Sequence, residues 1–418
     1  MLDSERQHKY GSSYSVSFPD FPSFSENPNS ITLRQEMGKH DILDIEFMQY
    51  SKMYDTMVKT GTPVIVTWKN DKASGTFRGY ATQLTSPSSR AITRVVFVRC
   101  VGTSFVLKDS EPKIWVKKTA PEIVTEIATK FKLVPVVTPH QLRFPQQSLS
   151  GHSYWEKIAE MAQRIGYGFH VTNQELHFHP VDKMIDKFMT SIPILSFMDK
   201  FMPDGSQVYG PTLDYFKPLT NDYYEHESHK RTTKTIGGID PVTSKVFKIT
   251  SSPNTTGSSV RSNTKDPLFS TVEVSTVADG LSSASLLSTA KANLARLSIP
   301  AKGSGQGDPR IAPWRTVEIR GTSEVTDGFW VIKKVVHNMG IDGSYTVDFD
   351  CAVDGTGPNK ASASRPASSS GVGVVNLSNA VQGGKTTKVT VPKLTSTTLV
   401  VNTKLTGFKV APRRWAGK

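Results

Sequence analysis

The sequence predicts a mainly β protein with an α+β insertion: two similar β-barrel domains separated by a small helix-and-hairpin domain. Three observations predict it. Short alternating apolar segments recur over most of the first 355 residues, two helix-capping signatures fall together between residues 119 and 156, and two of the β-regions repeat one spacing of Val, Phe and Cys. A chain of 418 residues is too long for one ordinary core and calls for several domains.

Residues 1–30 are rich in Ser, Pro and Asn with scattered aromatics (Phe18, Phe21, Phe24), a composition expected of an N-terminal arm. Residues 31–110 form the first β domain. HDILDIEF, TPVIVTWKN, GTFRGYATQL and ITRVVFVRCVG alternate, with turn signals at Asn70-Asp71 and Ser86 to Ser89. Residues 111–200 carry the α+β domain, whose recognisable unit runs from Glu111 to Asp182. Thr119 to Glu122 and Ser153 to Glu156 read as capping boxes. The first helix presents Ile123, Val124, Ile127, Ala128 and Phe131 on one face; the second presents Trp155, Ile158, Ala159, Ala162 and Ile165 and ends at Gly166. GFHVTNQELHFHP then reads as a hairpin turning at Asn173-Gln174, with Phe169, Val171, Leu176 and Phe178 on its core face.

Residues 201–357 return to β-texture, with a helical insertion near 281–297 that carries Leu286, Leu287, Ala290, Leu294 and Leu297. GGIDP reads as a turn and GSGQGDP as an exposed loop. Residues 358–382 are a Ser/Ala/Gly-rich flexible linker, and 383–418 a docking segment that ends in Trp415 among basic residues.

The repeat links the two β domains. Val64, Phe77 and Cys100 are matched by Val317, Phe329 and Cys351; Val and Phe lie 13 residues apart in one copy and 12 in the other, Phe and Cys 23 and 22. A duplicated domain lets three chains present six similar surfaces to a six-fold ring.

Function classes can be thinned by the residues present. No run approaches the roughly 20 apolar residues needed to cross a bilayer, so stable membrane insertion is not expected. Cys100 and Cys351 are isolated, without the spacing of a zinc or redox motif, and two reduced thiols and a cytoplasmic origin are expected. The formal charge of +13 is dispersed rather than gathered on one helix, which suits an acidic neighbour in an assembly better than stable nucleic-acid binding. Lys230, Arg231 and Lys234 are the densest basic patch and, with Trp415, the expected interface residues. His170, His177, His179 and Glu175 share one face of the hairpin, a placement geometrically compatible with an N/O metal site; a solvated or interface face is the reading preferred, with no metal and no cofactor. Glu156 and Glu160 are the carboxylates a glycan hydrolase would need, but Glu156 has a capping role. No nucleophile elbow or phosphate loop occurs, and the chain reads as no enzyme.

The order of elements, with GKHDILDIEF, TFRGY, LSGHSYWEKIAEMAQRIGYGFHVTNQELHFHP, GGIDP and GDPRIAPWRTVEIRGTSEVTDGFWVIKKVVHN, resembles the phage tail hub proteins of the late control protein D family. It is also similar to the hub portion of type VI secretion spike proteins. The resemblance spans about residues 31–355. It implies a homotrimer whose tube-type barrels form a pseudo-six-fold torus in the virion tail baseplate, assembled in the host cytoplasm. Its implied partners are the tail tube or distal tail proteins, the central spike and surrounding baseplate proteins, with tape-measure protein and DNA passing through. A peptidoglycan-binding or cleaving tail component, and the hub of a contractile bacteriocin or secretion device, are the alternatives.

Overall fold

A computed structural model describes residues 12–22, 27–48, 57–70, 73–86, 95–187, 193–196, 213–218, 234–239, 246–251, 272–274, 281–295, 297, 299–322 and 327–353. The expected linker and docking segment lie outside the described residues.

Six strands open the chain: β1 (Ser13–Ser17), β2 (Ser30–Glu36), β3 (Ile42–Met48), β4 (Pro63–Lys69), β5 (Ser74–Thr85) and β6 (Val95–Gly102). Another six come later: β12 (Ile194–Ser196), β13 (Leu213–Pro218), β17 (Ile299–Gln306), β18 (Thr316–Arg320), β19 (Gly328–Gly340) and β20 (Tyr345–Val353). All twelve belong to one sheet, in the order β1-β4-β5-β6-β3-β2-β19-β20-β17-β13, with β12 on β18 and β18 on β19. The seam is the antiparallel pair β2–β19, from Ser30↔Gly340 to Glu36↔Lys334.

Two similar β-barrel domains were expected. Among the described residues no strand closes a barrel, and the two β-regions share one sheet and one hydrophobic cluster that holds Leu43, Ile45 and Val98 together with Trp330, Val335 and Phe349. The alternation explains the sharing. Residues of one parity (Leu33, Leu43, Val98, Val347) are wholly buried, and the β2–β19 seam carries that face from one region into the other.

The N-terminal arm also differs from expectation. β1 pairs antiparallel with β4 of its own chain, and Phe18 is buried in the shared core, so this stretch is an edge strand rather than a segment reserved for a neighbour.

The α+β domain holds β7 (Lys113–Thr119), α1 (Ala120–Lys130), β8 (Val134–Val137), β9 (Arg143–Leu149), α2 (Tyr154–Ile165), β10 (Tyr167–Thr172), β11 (Glu175–Pro180) and α3 (Val181–Lys187). Both capping boxes form: Thr119 Oγ1 accepts from the Glu122 amide while Glu122 accepts from the Thr119 amide, and Ser153 and Glu156 do the same. Each contributes about 1 kcal/mol to a helix too short to persist alone. Gly166 caps α2 at φ +74°, a left-handed conformation, and a methyl there would fall 2.6 Å from Ala290 Cβ. On α2 Ile158, Ala162 and Ile165 are buried as expected, but the stripe is centred nearer Tyr154 and Met161, which are also buried, while Trp155 is half-buried against His40 and Phe169.

A third sheet is formed by β14 (Lys234–Ile239), β15 (Val246–Ser251) and β16 (Val272–Val274). α4 (Leu281–Ala295) packs Ala284 and Leu287 against Ile236 and Phe247 and also meets α2. Two glycine-rich stretches expected as a turn and a loop begin inside strands: Gly237–Ile239 belong to β14, with Asp240 and Pro241 outside the described residues, and Gly303–Gln306 belong to β17, with Gly307–Pro309 following it. Gly238 in β14 lies beneath the Phe247 ring and Gly303 in β17 beneath the Phe349 ring, where a Cβ would fall 2.6 and 2.4 Å from ring carbons. Glycine here makes room for an aromatic ring rather than for a bend.

Candidate functional site

The repeated spacing marks a repeated structure. β4-β5-β6-β3-β2 and β18-β19-β20-β17-β13 follow the same strand order, each strand antiparallel to the next. Val64 faces Gly79 as Val317 faces Trp330, and Cys100 faces Ala81 as Cys351 faces Ile332. Each long strand then bulges at once, after Ala81 in β5 and after Ile332 in β19.

The entry turns match bond for bond. Ala81 N–H donates to Thr62 O and Gly61 N–H to Ala81 O; Ile332 N–H donates to Arg315 O and Trp314 N–H to Ile332 O. Gly61 and Trp314, the equivalent residues, both have positive φ (+92° and +68°). The Phe anchor alone is displaced: Phe77 faces Val66, and the equivalent position in β19 is Gly328, one residue before Phe329.

A buried polar network joins the two copies. Trp68 Nε1 donates to Tyr345 Oη at 3.1 Å, and Tyr345 Oη lies 2.9 Å from His337 Nδ1. Asn70 Nδ2 donates to Gly307 O, and beside it the buried Asp308 carboxylate takes a two-pronged hydrogen bond from Arg310. Burial holds His337 neutral, lowering its pKa to about 4, and pushes the Tyr345 phenol well above its ordinary value. These residues went unnoticed in the sequence. The signal was parity: His337 shares the inward phase of Val335 and Met339.

The opposite sheet face from β6 to β17 is mostly polar and charged, with Phe97 and Met48 exposed on it. Asp44 sits between Arg34 and Arg99; partial burial raises its pKa, but hydrogen bonds from Arg99 and Arg34 hold it below the usual carboxylate range. In the second copy Lys302 faces Asp350 where Asp44 faces Arg99, the same pairing with the signs exchanged.

The hairpin has the register read from its sequence. His170 faces His177, Gly168 faces His179, and Glu175 shares their side. The three histidines of this face are buried rather than solvated, at 5%, 4% and 4% exposure for His170, His177 and His179, while Glu175 at its end is exposed. A Cβ on Gly168 would meet Trp314 and Met184, which places those two over this side of the hairpin. His177 Nε2 lies 3.1 Å from Glu175, His179 Nδ1 2.8 Å from Thr138 Oγ1, and His170 Nδ1 is buried without a protein hydrogen-bond partner. Burial, then the neighbouring His177 and Arg315, lower the His170 pKa to about 4. Among the described residues no three His, Cys, Asp or Glu converge to hold an ion.

Glu156 is held in its capping box, and Glu160 is paired with Lys157 and Arg164. Lys230, Arg231 and Trp415 lie outside the described residues; Lys234 opens β14, and its side chain is outside them too. Cys100 and Cys351 are both free and buried. No described helix is long and apolar enough to cross a membrane.

The fold defined by this duplicated sheet is found in phage tail proteins. A tail protein from Neisseria meningitidis MC58 matches with a TM-score of 0.55 at 12% identity, covering 84% of this chain and 99% of its own. The 43 kDa tail protein of prophage MuSo2 from Shewanella oneidensis matches with 0.54 at 12%, covering 82% and 98%. An E. coli component of the type VI secretion system, described as similar to the T4 tail proteins gp27 and gp5, matches with 0.50 at 11%, covering 84% and 79%. Structural neighbours are thus phage tail proteins and a type VI secretion component, alike in fold at low identity. No family model and no curated protein matches the sequence.

Proposed function

We propose that this chain is a structural, non-enzymatic hub of a phage tail or related injection machine. Three copies adapt a six-fold tail tube to a three-fold central spike and line the passage for tape-measure protein and DNA. The observation that carries the reading is the duplication of one strand order within the chain, because three such chains supply six like units. Its neighbours in fold support the tail setting.

The polar sheet face fits the wall of such a passage. Arg34, Arg99 and Lys302 alternate across it with Asp44 and Asp350, and charges of both signs at short range give a passing polyanion no continuous field to bind. Lys230, Arg231, Lys234 and Trp415 are proposed as contacts with an acidic tube ring or neighbouring baseplate protein.

Deleting the gene in a particle-producing host tests the role. The expected result, by electron microscopy, is particles without joined tube and spike, restored by the gene in trans. Complete, infective tails in the deletion strain would contradict it.

A further inference from the structure

We propose that Asp41 is a proton-operated latch between the first β-region and the α+β domain. Protonated, its carboxyl lets the β2–β3 turn lie shut with His40 stacked on Trp155; ionised, it draws the turn open and frees that contact.

The latch is built from three stretches of chain. β2 and β3 are joined by a tight turn in which Lys39 N–H donates to Glu36 O and Gly38 has a φ of +70°. His40 and Asp41 follow, just before β3. His40 Nδ1 lies 2.8 Å from Ser104 Oγ, and its ring centre lies 4.1 Å from that of Trp155 on α2. Trp155 in turn meets Phe169, in the core of the α+β domain, edge-on at 4.6 Å. Asp41 is sealed from the other side. Its main-chain O accepts from Gly102 N–H at 2.9 Å, and a Cβ on Gly102 would fall 3.4 Å from Asp41 Cβ.

The carboxyl beneath is poorly supplied with donors. Oδ2 accepts one hydrogen bond, from Gln35 Nε2 at 2.9 Å, and among the described residues Oδ1 is buried with none. The charged groups of the surrounding elements are engaged elsewhere. Arg34 and Arg99 hold Asp44, and Lys39 holds Glu36. On β19 Lys334 faces Glu36 and Lys333 donates to Leu297 O. Lys108, in the 3-10 turn Thr103–Lys108, bears on His40, and Glu156 of α2 is held in its capping box. A buried carboxylate in this state favours its neutral form, and burial raises the Asp41 pKa to about 7 against the opposing Gln35 hydrogen bond.

The repeat shows that the sheet itself does not require this acid. Leu43 and Ala301 both face the repeated cysteine, so Asp41 corresponds to Ile299 and Gly102 to Val353, which face each other at the end of the β17–β20 pair. One copy has an apolar residue at the position where the other has an acid.

A solvated Asp has a pKa near 4, about three units below the closed latch, so protons favour closure. The opening constant therefore rises about fifty-fold between pH 5 and pH 7 and only about two-fold more by pH 8. His40 stays neutral throughout, since burial and then Lys108 lower its pKa to about 4.

Hydrogen exchange on the full chain between pH 5 and pH 8, with the intrinsic pH dependence divided out, tests the latch. Peptides covering residues 37–44 and 100–108 should show that rise, and peptides from β4 and β5 should not. Asp41→Asn cannot ionise and keeps an oxygen for Gln35, so it should hold both segments at their pH 5 opening level throughout. Ser104→Cys gives a second readout, because Ser104 lies under His40 and the native Cys100 and Cys351 are buried. At pH 8 its thiol should be labelled at least about ten-fold faster than the same thiol in the Asp41→Asn background, and at pH 5 the two rates should agree. A native chain with no rise in the two segments, the same rise in Asp41→Asn, an equal rise in β4 and β5, or equal labelling of the two thiol variants at pH 8 would overturn the proposal.

Discussion

Replacing Tyr345 with Phe removes one oxygen from the centre of the network that joins the two sheet copies. The ring volume stays, so no cavity is made, and the effect isolates hydrogen bonding. Two buried groups lose their partner: Trp68 Nε1, in a residue 5% exposed, and His337 Nδ1, in a residue with no exposure. A buried donor or acceptor left unsatisfied costs about 1–3 kcal/mol, so with two such groups Tyr345→Phe should destabilise by about 2–6 kcal/mol. Because Trp68 lies in the first copy and Tyr345 in the second, the loss should appear as one cooperative shift rather than a separate early transition. The assay is guanidinium denaturation followed by Trp fluorescence. Trp68→Phe combined with Tyr345→Phe should cost less than the sum of the two alone, with a coupling of about 1 kcal/mol or more. A loss below about 0.5 kcal/mol for Tyr345→Phe, or strict additivity in the pair, would refute the claim that this network ties the copies together.

Other outcomes follow from the same geometry. His170 and His337 have folded pKa values near 4, below the unfolded value near 6.5, so their contribution is intact above about pH 6.5 and falls away as pH drops toward 4. Denaturation midpoints across that window should decline, and His337→Gln should flatten the decline; an unchanged slope would contradict the assignment. Asp41 runs the other way: burial raises its pKa to about 7, outweighing the Gln35 hydrogen bond, so its charged form costs stability as pH rises from about 4 to 7. Asp41→Asn should raise the midpoint above pH 7 and leave it unchanged below pH 4. Gly303→Ala would place a methyl 2.4 Å from the Phe349 ring and should cost about 1–3 kcal/mol, measurable as a fall in melting temperature.

Much of this architecture is legible in the residues. Strict alternation gave β3 to β6 and β18 to β20 their inward faces, and Thr119/Glu122 and Ser153/Glu156 marked both helix starts because a capping box is a local interaction complete within four residues. The hairpin register followed from Phe169, Val171, Leu176 and Phe178 having to share one side. What local pattern does not carry is the partner of each edge. Nothing in SITLRQE announces that it pairs with a strand some 300 residues later, so the seam that puts both β-regions in one sheet is not legible locally. β7, β8 and β9 were missed because KIWVKKT, VPVV and RFPQQSL are short, interrupted by Pro or Lys, and only partly alternating. Gly238 and Gly303 read as bends because glycine's two uses, freedom of φ and absence of a side chain, look alike until the facing Phe is known.

The histidine face shows the same limit. Its membership was fixed by period-two geometry, but its burial was set by Trp314 and Met184, which come from separate parts of the chain.

The mass of the native chain in solution, by multi-angle light scattering, tests the central claim most directly. At 46.0 kDa per chain, the account predicts a species of about 138 kDa for the chain alone, or three copies per complex, about 138 kDa plus the partners' mass, once tube and spike proteins are supplied. A protein that stays at 46.0 kDa under every one of those conditions would contradict it.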